Sequence, residues 1–154
     1  MGGVVVSMTL KQHVDHWISS SEQSILDMSS ALRSKRRMNA IYSGHQSLEK
    51  ILKALLAARN MRIIHTHKIT QLVVRCGYIL TTGQLIELET IDQFYIAAKY
   101  HSVKSKVYEM CAPEYTDTWT KIIRKWYKYF KQQVRAERAL LPNNVPATYP
   151  EDVY

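Results

Sequence analysis

Two arginine–histidine pairs lie close together in the segment 59–67. Arg59 precedes His65 with five residues between them, and Arg62 precedes His67 with four. A histidine has a pKa near neutral pH, so it can accept the proton of a ribose 2′-hydroxyl, while an arginine can stabilise the negative charge that develops at the phosphorus. Arg59 and His65 are therefore candidates for acid–base chemistry at a phosphate group.

The same segment has a structural interpretation. Arg59 and Arg62 follow a predicted helix, where a cation complements the partial negative charge of the helix C-terminus. The chain contains 21 Lys and Arg residues and 6 His residues, so short Arg-to-His spacings also arise by chance. Catalysis, a helix cap and phosphate binding without cleavage therefore all stay open for this segment.

A second basic feature is the predicted last helix, which has cations on one face and apolar residues on the other. Lys121, Arg124 and Lys128 are candidate phosphate-binding residues on its basic face. Tyr127 and Tyr129 lie nearby, and aromatic rings can stack on bases while cations follow a phosphate backbone. The alternative is a solvated face, which every amphipathic surface helix has.

Motifs for a metal or a cofactor are weak in this sequence. His13 and His16 stand three residues apart, as two ligands on one helical turn would, but no third ligand is evident. Glu49 and Lys53 are spaced as an i,i+4 ion pair, for which a structural role is favoured. We therefore expect no metal site and no cofactor.

Length and composition indicate one globular domain. A chain of 154 residues can bury a core without disulfides, and 46% hydrophobic residues with only 5 Gly and 4 Pro argue against disorder. The formal net charge of +8 favours an anionic partner such as a nucleic acid or a nucleotide. We expect Cys76 and Cys111 to be buried thiols, and no apolar stretch suits a signal peptide or a membrane span. The expected protein is cytoplasmic, without membrane contact.

Apolar residues recur at helical spacing along most of the chain, which predicts an all-α fold. Thr9 and Thr66 are candidate N-caps, and Pro113 excludes a continuous helix through its position. We predict an antiparallel up-and-down bundle of about five helices over residues 9–138. The predicted helices cover about residues 9–37, 38–58, 66–77, 84–98 and 115–138.

The C-terminal segment has a different composition from the rest of the chain. It contains Pro142, Pro146 and Pro150, and prolines at these intervals exclude a regular helix. We therefore predict an extended, mobile tail over residues 139–154.

The predicted second helix contains the string GHQSLEKILKALL, from Gly44 to Leu56. This string resembles the signature helix of the HEPN domain, in which a Gln-x-x-Glu-Lys-x-x-Lys-Ala-Leu-Leu pattern packs at the centre of a helical bundle. Thr66 and His67 resemble a Thr-His pair that opens the third helix of the family, and Trp17 fits a tryptophan of the first. The residues that match the signature are Gln46, Glu49, Lys50, Lys53, Ala54, Leu55 and Leu56.

The resemblance implies several alternative roles. HEPN domains are typically homodimers; some are metal-independent ribonucleases of toxin–antitoxin and defence systems, others are non-catalytic partners of nucleotidyltransferases, and some bind nucleotides. The ribonuclease members carry an Arg and a His at the spacing of Arg59 and His65, although the family places the pair later in the chain. Lys99, Tyr100 and His101 stand where the partner-type members have an Arg-Tyr-Pro-Asp-like stretch, of which this chain keeps the cation and the tyrosine.

We therefore predict a non-catalytic HEPN-like module that contacts a nucleotide or RNA, forms a homodimer and acts with a partner such as a nucleotidyltransferase or an antitoxin. The alternatives are a metal-independent endoribonuclease that uses Arg59 and His65, and a purely structural interaction dimer; a likeness of fold does not choose among them. The candidate nucleotide- or phosphate-binding residues are Lys99, Tyr100, His101, His67, Lys121, Arg124 and Lys128.

Overall fold

The computed structural model describes residues 8–99 and 112–153, which form five helices and no strand beyond one isolated bridge. This confirms the predicted all-α antiparallel bundle of about five helices. The second helix is its centre, because it packs against each of the other four. The helices are α1 (Leu10–Arg33), α2 (Arg37–Ala58), α3 (Ile69–Arg75), α4 (Thr82–Lys99) and α5 (Pro113–Ala139).

Helix α1 begins at the predicted cap. The Thr9 hydroxyl accepts the amide of Gln12 at 3.1 Å, and the Gln12 side chain accepts the amide of Thr9 at 2.9 Å. This capping box satisfies two donors that a helix N-terminus otherwise leaves open. The helix ends in a tight turn, in which Lys35 adopts a left-handed conformation with φ of 58° and α2 starts two residues later.

The core is built around the apolar side of α2. Leu48, Ile51, Leu52 and Leu55 are all fully buried, as their spacing along the helix predicts. At Gly44 a β-carbon would come within 2.9 Å of side-chain atoms from both α1 and α5. The glycine therefore lets both neighbouring helices approach the central one closely.

Helix α3 is capped differently from the prediction. Its first residue is Ile69, and the Thr66 hydroxyl accepts only the amide of Lys68 at 3.1 Å, ahead of the helix. The amides of Ile69 and Thr70 donate instead to the carboxylate of Asp92 on α4, at 2.7 and 3.2 Å. The prediction of Thr66 as the cap was wrong, because a carboxylate from a different helix supplies the acceptor.

The C-terminal segment after α5 folds back onto the start of α1. Thr9 and Pro146 form the isolated antiparallel bridge, and the Leu10 amide donates to the carbonyl of Val145 at 2.7 Å. Asp152 is 1% exposed. These contacts place residues 145–152 against the bundle, and the mobility of the segment stays a prediction.

Within the described ranges, no helix combines the length and the apolar character that crossing a membrane would take.

Candidate functional site

A polar cavity of about 360 Å³ opens beside the middle of α2. Its walls come from α2, from the connection between α2 and α3, and from one aromatic side chain of α1. This volume lies at the lower end of the range of small-molecule sites. The lining residues are Trp17, Gln46, Glu49, Lys50, Lys53, His65, Thr66 and His67.

Glu49 organises the charges of this cavity. Its carboxylate oxygen Oε1 accepts Lys53 Nζ at 3.1 Å and His67 Nδ1 at 2.8 Å. Glu49 and Lys53 are only 6% and 5% exposed, so each needs the other as a counter-charge. The Lys53 ammonium also lies over the Trp17 ring, 5.5 Å from its centroid, which is a favourable cation–π distance.

Lys50 stands one turn before Lys53 on the same wall. Its Nζ donates to the Ser24 hydroxyl of α1 at 2.9 Å. Burial lowers the pKa of Lys50, and the negative charges of Glu49 and Asp27 offset part of that effect. The cavity therefore has two ammonium groups of α2 side by side, one of them paired with a carboxylate.

Helix α4 packs against His67 at one side of the cavity. The ring of His67 stacks on Tyr95 with 4.9 Å between centroids, and the buried ring of His45 stacks on the same tyrosine at 4.9 Å. His45 Nε2 in turn donates to Asp92 at 3.3 Å. Burial alone would raise the pKa of Asp92, but hydrogen bonds from His45 and from the α3 N-terminus hold it below its ordinary value.

Arg59 lies at the end of α2 and is not among the residues that line the cavity. Its Nε donates to Glu137 of α5 at 2.8 Å, and its Nη1 donates to the carbonyl of Cys76. The hydrogen bond to Glu137 raises the pKa of Arg59. Of the predicted catalytic pair, His65 lines the cavity, whereas Arg59 joins the ends of α2, α3 and α5.

The other predicted residues are spread over the molecule. Lys121 and Lys128 are exposed on α5, and Arg124 of the same helix donates to the Ser29 hydroxyl of α1 at 2.8 Å. None of these three lines the cavity. Lys99 is the last residue of α4, while Tyr100 and His101 lie outside the described residues.

The two histidines of α1 are not arranged as a metal pair. His13 is buried, and its Nε2 donates to the Asp152 carbonyl at 2.7 Å. The ring of His16 packs edge-on against Trp17, with 5.4 Å between centroids. Over residues 8–99 and 112–153, no three His, Cys, Asp or Glu side chains come together as a metal site.

The sequence profile of the HEPN domain matches residues 14–134, most of the chain. This chain belongs to the HEPN domain family. Searches of curated proteins and of solved structures found no match to it. The family assignment agrees with the all-α bundle and with the central position of α2.

In this HEPN domain the signature string of α2 contributes residues to both the core and the cavity. Leu55 and Leu56 belong to the core, whereas Gln46, Lys50 and Lys53 line the cavity. Three- and four-residue steps place these polar residues on one face of the helix. The sequence pattern of the string identified the family, and a structural role was predicted for its Glu49–Lys53 pair.

Sequence reasoning also missed Trp17 and Gln46 as residues of the HEPN cavity. Trp17 fits the apolar stripe of α1, so its spacing alone predicts a core residue, and it is indeed 2% exposed. A signal for Gln46 was present, because it stands four residues before Lys50 and seven before Lys53. His67 was predicted as a phosphate-binding residue and does line the cavity.

Proposed function

We propose that this HEPN domain binds the phosphate group of a nucleotide in the cavity beside α2 and does not cleave RNA. The observation that carries the proposal is the convergence of Lys50, Lys53, His65 and His67 on one cavity of about 360 Å³. Ammonium and imidazole groups donate hydrogen bonds to phosphate oxygens, and charge-assisted bonds of this kind are about twice as strong as neutral ones.

The arrangement of the groups supports binding of a nucleotide rather than of a neutral ligand. Glu49 fixes Lys53 and His67 in place through its two hydrogen bonds, so these donors need little reordering when an anion enters. Lys50 supplies a second ammonium group on the same helix face. The Trp17 ring, which is 2% exposed, holds the Lys53 ammonium in place through its cation–π contact.

The contacts of Arg59 support the non-catalytic form of the proposal. Cleavage by the predicted pair needs the Arg59 guanidinium at the phosphate, close to His65. That guanidinium instead donates to Glu137 and to the Cys76 carbonyl, at the C-terminal end of α2. Breaking these contacts would be required before Arg59 could reach a substrate in the cavity.

The homodimer and a separate partner, such as a nucleotidyltransferase or an antitoxin, are part of the same proposal. They rest on the membership in the HEPN family and on the net charge of +8, which suits an acidic partner. Light scattering of the purified chain, alone and after co-expression with the protein encoded next to it, tests both. A chain that is monomeric and does not co-purify with the co-expressed protein would contradict this part of the proposal.

Calorimetric titration with ATP and with inorganic phosphate tests the cavity. The Lys50→Gln variant is expected to weaken binding about tenfold, the value of one charge-assisted hydrogen bond. Lys125→Gln, which removes the same charge from an exposed position of α5, is the matched control and is expected to bind like wild type. Absence of binding to wild type, or equal weakening by both variants, would contradict the proposal.

Incubation with total RNA in EDTA tests the ribonuclease alternative. Neither wild type nor the Arg59→Ala/His65→Ala variant is expected to cleave. Cleavage by wild type that the double variant abolishes would overturn the non-catalytic assignment and establish the predicted pair as an active site.

A further inference from the structure

The ring of His67 uses only one of its two nitrogens inside the described part of the chain. Its Nδ1 lies 2.8 Å from the Glu49 carboxylate, whereas its Nε2 has no hydrogen-bond partner among residues 8–99 and 112–153. The side chain is 56% exposed and lines the cavity, so protons and ligands both reach it from solvent. His67 can therefore change its protonation state without any opening of the core.

The contact with Glu49 fixes the tautomer of a neutral His67 ring. A carboxylate only accepts hydrogen bonds, so Nδ1 carries the proton that it donates. The same Glu49 oxygen accepts Lys53 Nζ at 3.1 Å, as an ionised carboxylate does. A neutral imidazole has a single ring proton, and its other nitrogen is then an acceptor. Nε2 of a neutral His67 therefore cannot donate to a phosphate oxygen.

The balance of charge in the cavity points to the same ring. The described lining residues include two cations, Lys50 and Lys53, and one anion, Glu49, which leaves one positive charge in excess while the histidines are neutral. A phosphate monoester carries a charge close to −2 above its second pKa of about 6. Its entry leaves one negative charge uncompensated beside buried groups, where the local dielectric is low. One additional proton in the cavity removes this imbalance.

We propose that the cavity binds a phosphate monoester together with one proton, which His67 takes up at Nε2. This inference rests on the proposed phosphate site and adds the class of phosphate that it accepts and its regulation by pH. As an imidazolium, His67 donates from Nδ1 to Glu49 and from Nε2 to a phosphate oxygen, and the proton comes from solvent. The stack on Tyr95, with 4.9 Å between centroids, keeps the ring in place in both states.

The other titratable groups around the ring suit this role less well. Lys50 of α2 is the main alternative, because burial lowers its pKa and a neutral amine can also accept a proton. His65 belongs to the same connection and lines the same cavity. On α4, Tyr95 stacks on the ring, while the Asp92 carboxylate is bonded to other groups. Among the described residues, α1 contributes only an uncharged tryptophan to the lining.

Calorimetric titration with AMP, a phosphate monoester, tests the linked proton. Titrations at about pH 7.5, where an ordinary imidazole is mostly neutral, in two buffers with different enthalpies of ionisation give the number of protons taken up. We expect about one proton for each AMP bound. The affinity should fall up to about tenfold between about pH 7.5 and pH 8.5, because the complex holds a proton that the free protein lacks.

His67→Asn is the test variant, because its amide nitrogen can still donate to Glu49 but cannot take up a proton. We expect this variant to bind AMP about tenfold more weakly at about pH 7.5, without proton uptake and without a dependence on pH over this range. The matched control is His16→Asn, which removes an exposed histidine that does not line the cavity and is expected to behave like wild type.

The outcomes separate the linked proton from the phosphate site. If AMP binds without proton uptake and equally well at both pH values, the phosphate site stands and the role of His67 is wrong. Proton uptake that persists in His67→Asn assigns the proton to another group, with Lys50 the first to examine, and also overturns the inference. If AMP does not bind, the inference fails, and the titrations with ATP and inorganic phosphate decide on the phosphate site.

Discussion

Asp92 illustrates how one buried carboxylate can serve two neighbouring elements. It accepts the amides of Ile69 and Thr70, the hydroxyl of Thr70 and the Nε2 of His45. A carboxylate at a helix N-terminus also interacts favourably with the helix dipole. These four bonds connect α4 to the start of α3 and, through the ring of His45, to the tyrosine on which His67 stacks.

The pKa of Asp92 leads to a prediction for stability against pH. The folded state holds this pKa below the ordinary value of 3.8, so the unfolded chain takes up the proton first as the pH falls. The stability that Asp92 supplies is therefore complete above its ordinary pKa and is lost as the pH falls through the lower, folded value. Asp92→Asn should lower the melting temperature near pH 7 and flatten its decline below about pH 4.

Thermal denaturation followed by circular dichroism between about pH 3 and pH 7 measures this effect. Glu89→Gln is the control, since Glu89 is an exposed acidic residue of the same helix. An Asp92→Asn variant whose melting temperature depends on pH as steeply as that of wild type would show that the contacts of the carboxylate are not formed.

At the scale of elements, the two ends of α2 are fixed by different contacts within the chain. Its N-terminal end follows the tight turn after α1, and its C-terminal end is fixed by Arg59. The Arg59 and Glu137 side chains are each about one-third exposed, so their ion pair is neither deeply buried nor fully solvated. The contact with the Cys76 carbonyl adds α3 to the same junction.

We predict that Arg59 and Glu137 stabilise the bundle together. Arg59→Ala and Glu137→Ala should each lower the free energy of unfolding, and a double-mutant cycle should give a coupling of about 0.5–1 kcal/mol. Urea denaturation of the four proteins measures it. A coupling of zero would indicate that Arg59 is not committed to this junction, and it would remove the main argument against its catalytic role.

At the scale of the whole molecule, the C-terminal segment closes the bundle at the end where α1 begins. The Asp152 carbonyl accepts Trp17 Nε1 at 3.0 Å and His13 Nε2 at 2.7 Å. Its carboxylate accepts the amide of Ile63 at 3.2 Å. One residue near the C-terminus thus contacts both a wall of the cavity and the connection that carries His65 and His67.

Removal of this segment should destabilise the protein and weaken the cavity. A chain that ends at Leu141 leaves three buried donors without their acceptor, and each such donor costs about 1–3 kcal/mol. We expect a loss of several kcal/mol in urea denaturation, with weaker binding of ATP. A chain that lacks only the last residue, and so keeps the Asp152 carbonyl in a peptide bond, is the control. Equal stability of the two truncated chains would contradict a structural role for Asp152.

Local patterns in the sequence were sufficient for the fold class and for most of the helices. Helical hydrogen bonds and apolar stripes involve residues three or four apart, so the core of α2 and the Thr9 cap follow from short stretches. The signature string identified the family, which the match over residues 14–134 confirms. It also contained the polar face of α2, although its spacing alone does not say which side of the helix faces a cavity.

The tertiary structure alone decided which polar groups meet. Arg59 pairs with a residue 78 positions away, and Asp152 meets Ile63 across 89 positions. No local spacing encodes such contacts, because they depend on how complete helices pack. For the same reason His65 and His67 line one cavity with Lys50 and Lys53. Arg59 does not line that cavity, although it is closer to both lysines in the sequence than His67 is. Packing of α2 against its neighbours thus determines which of the candidate residues belong to the site.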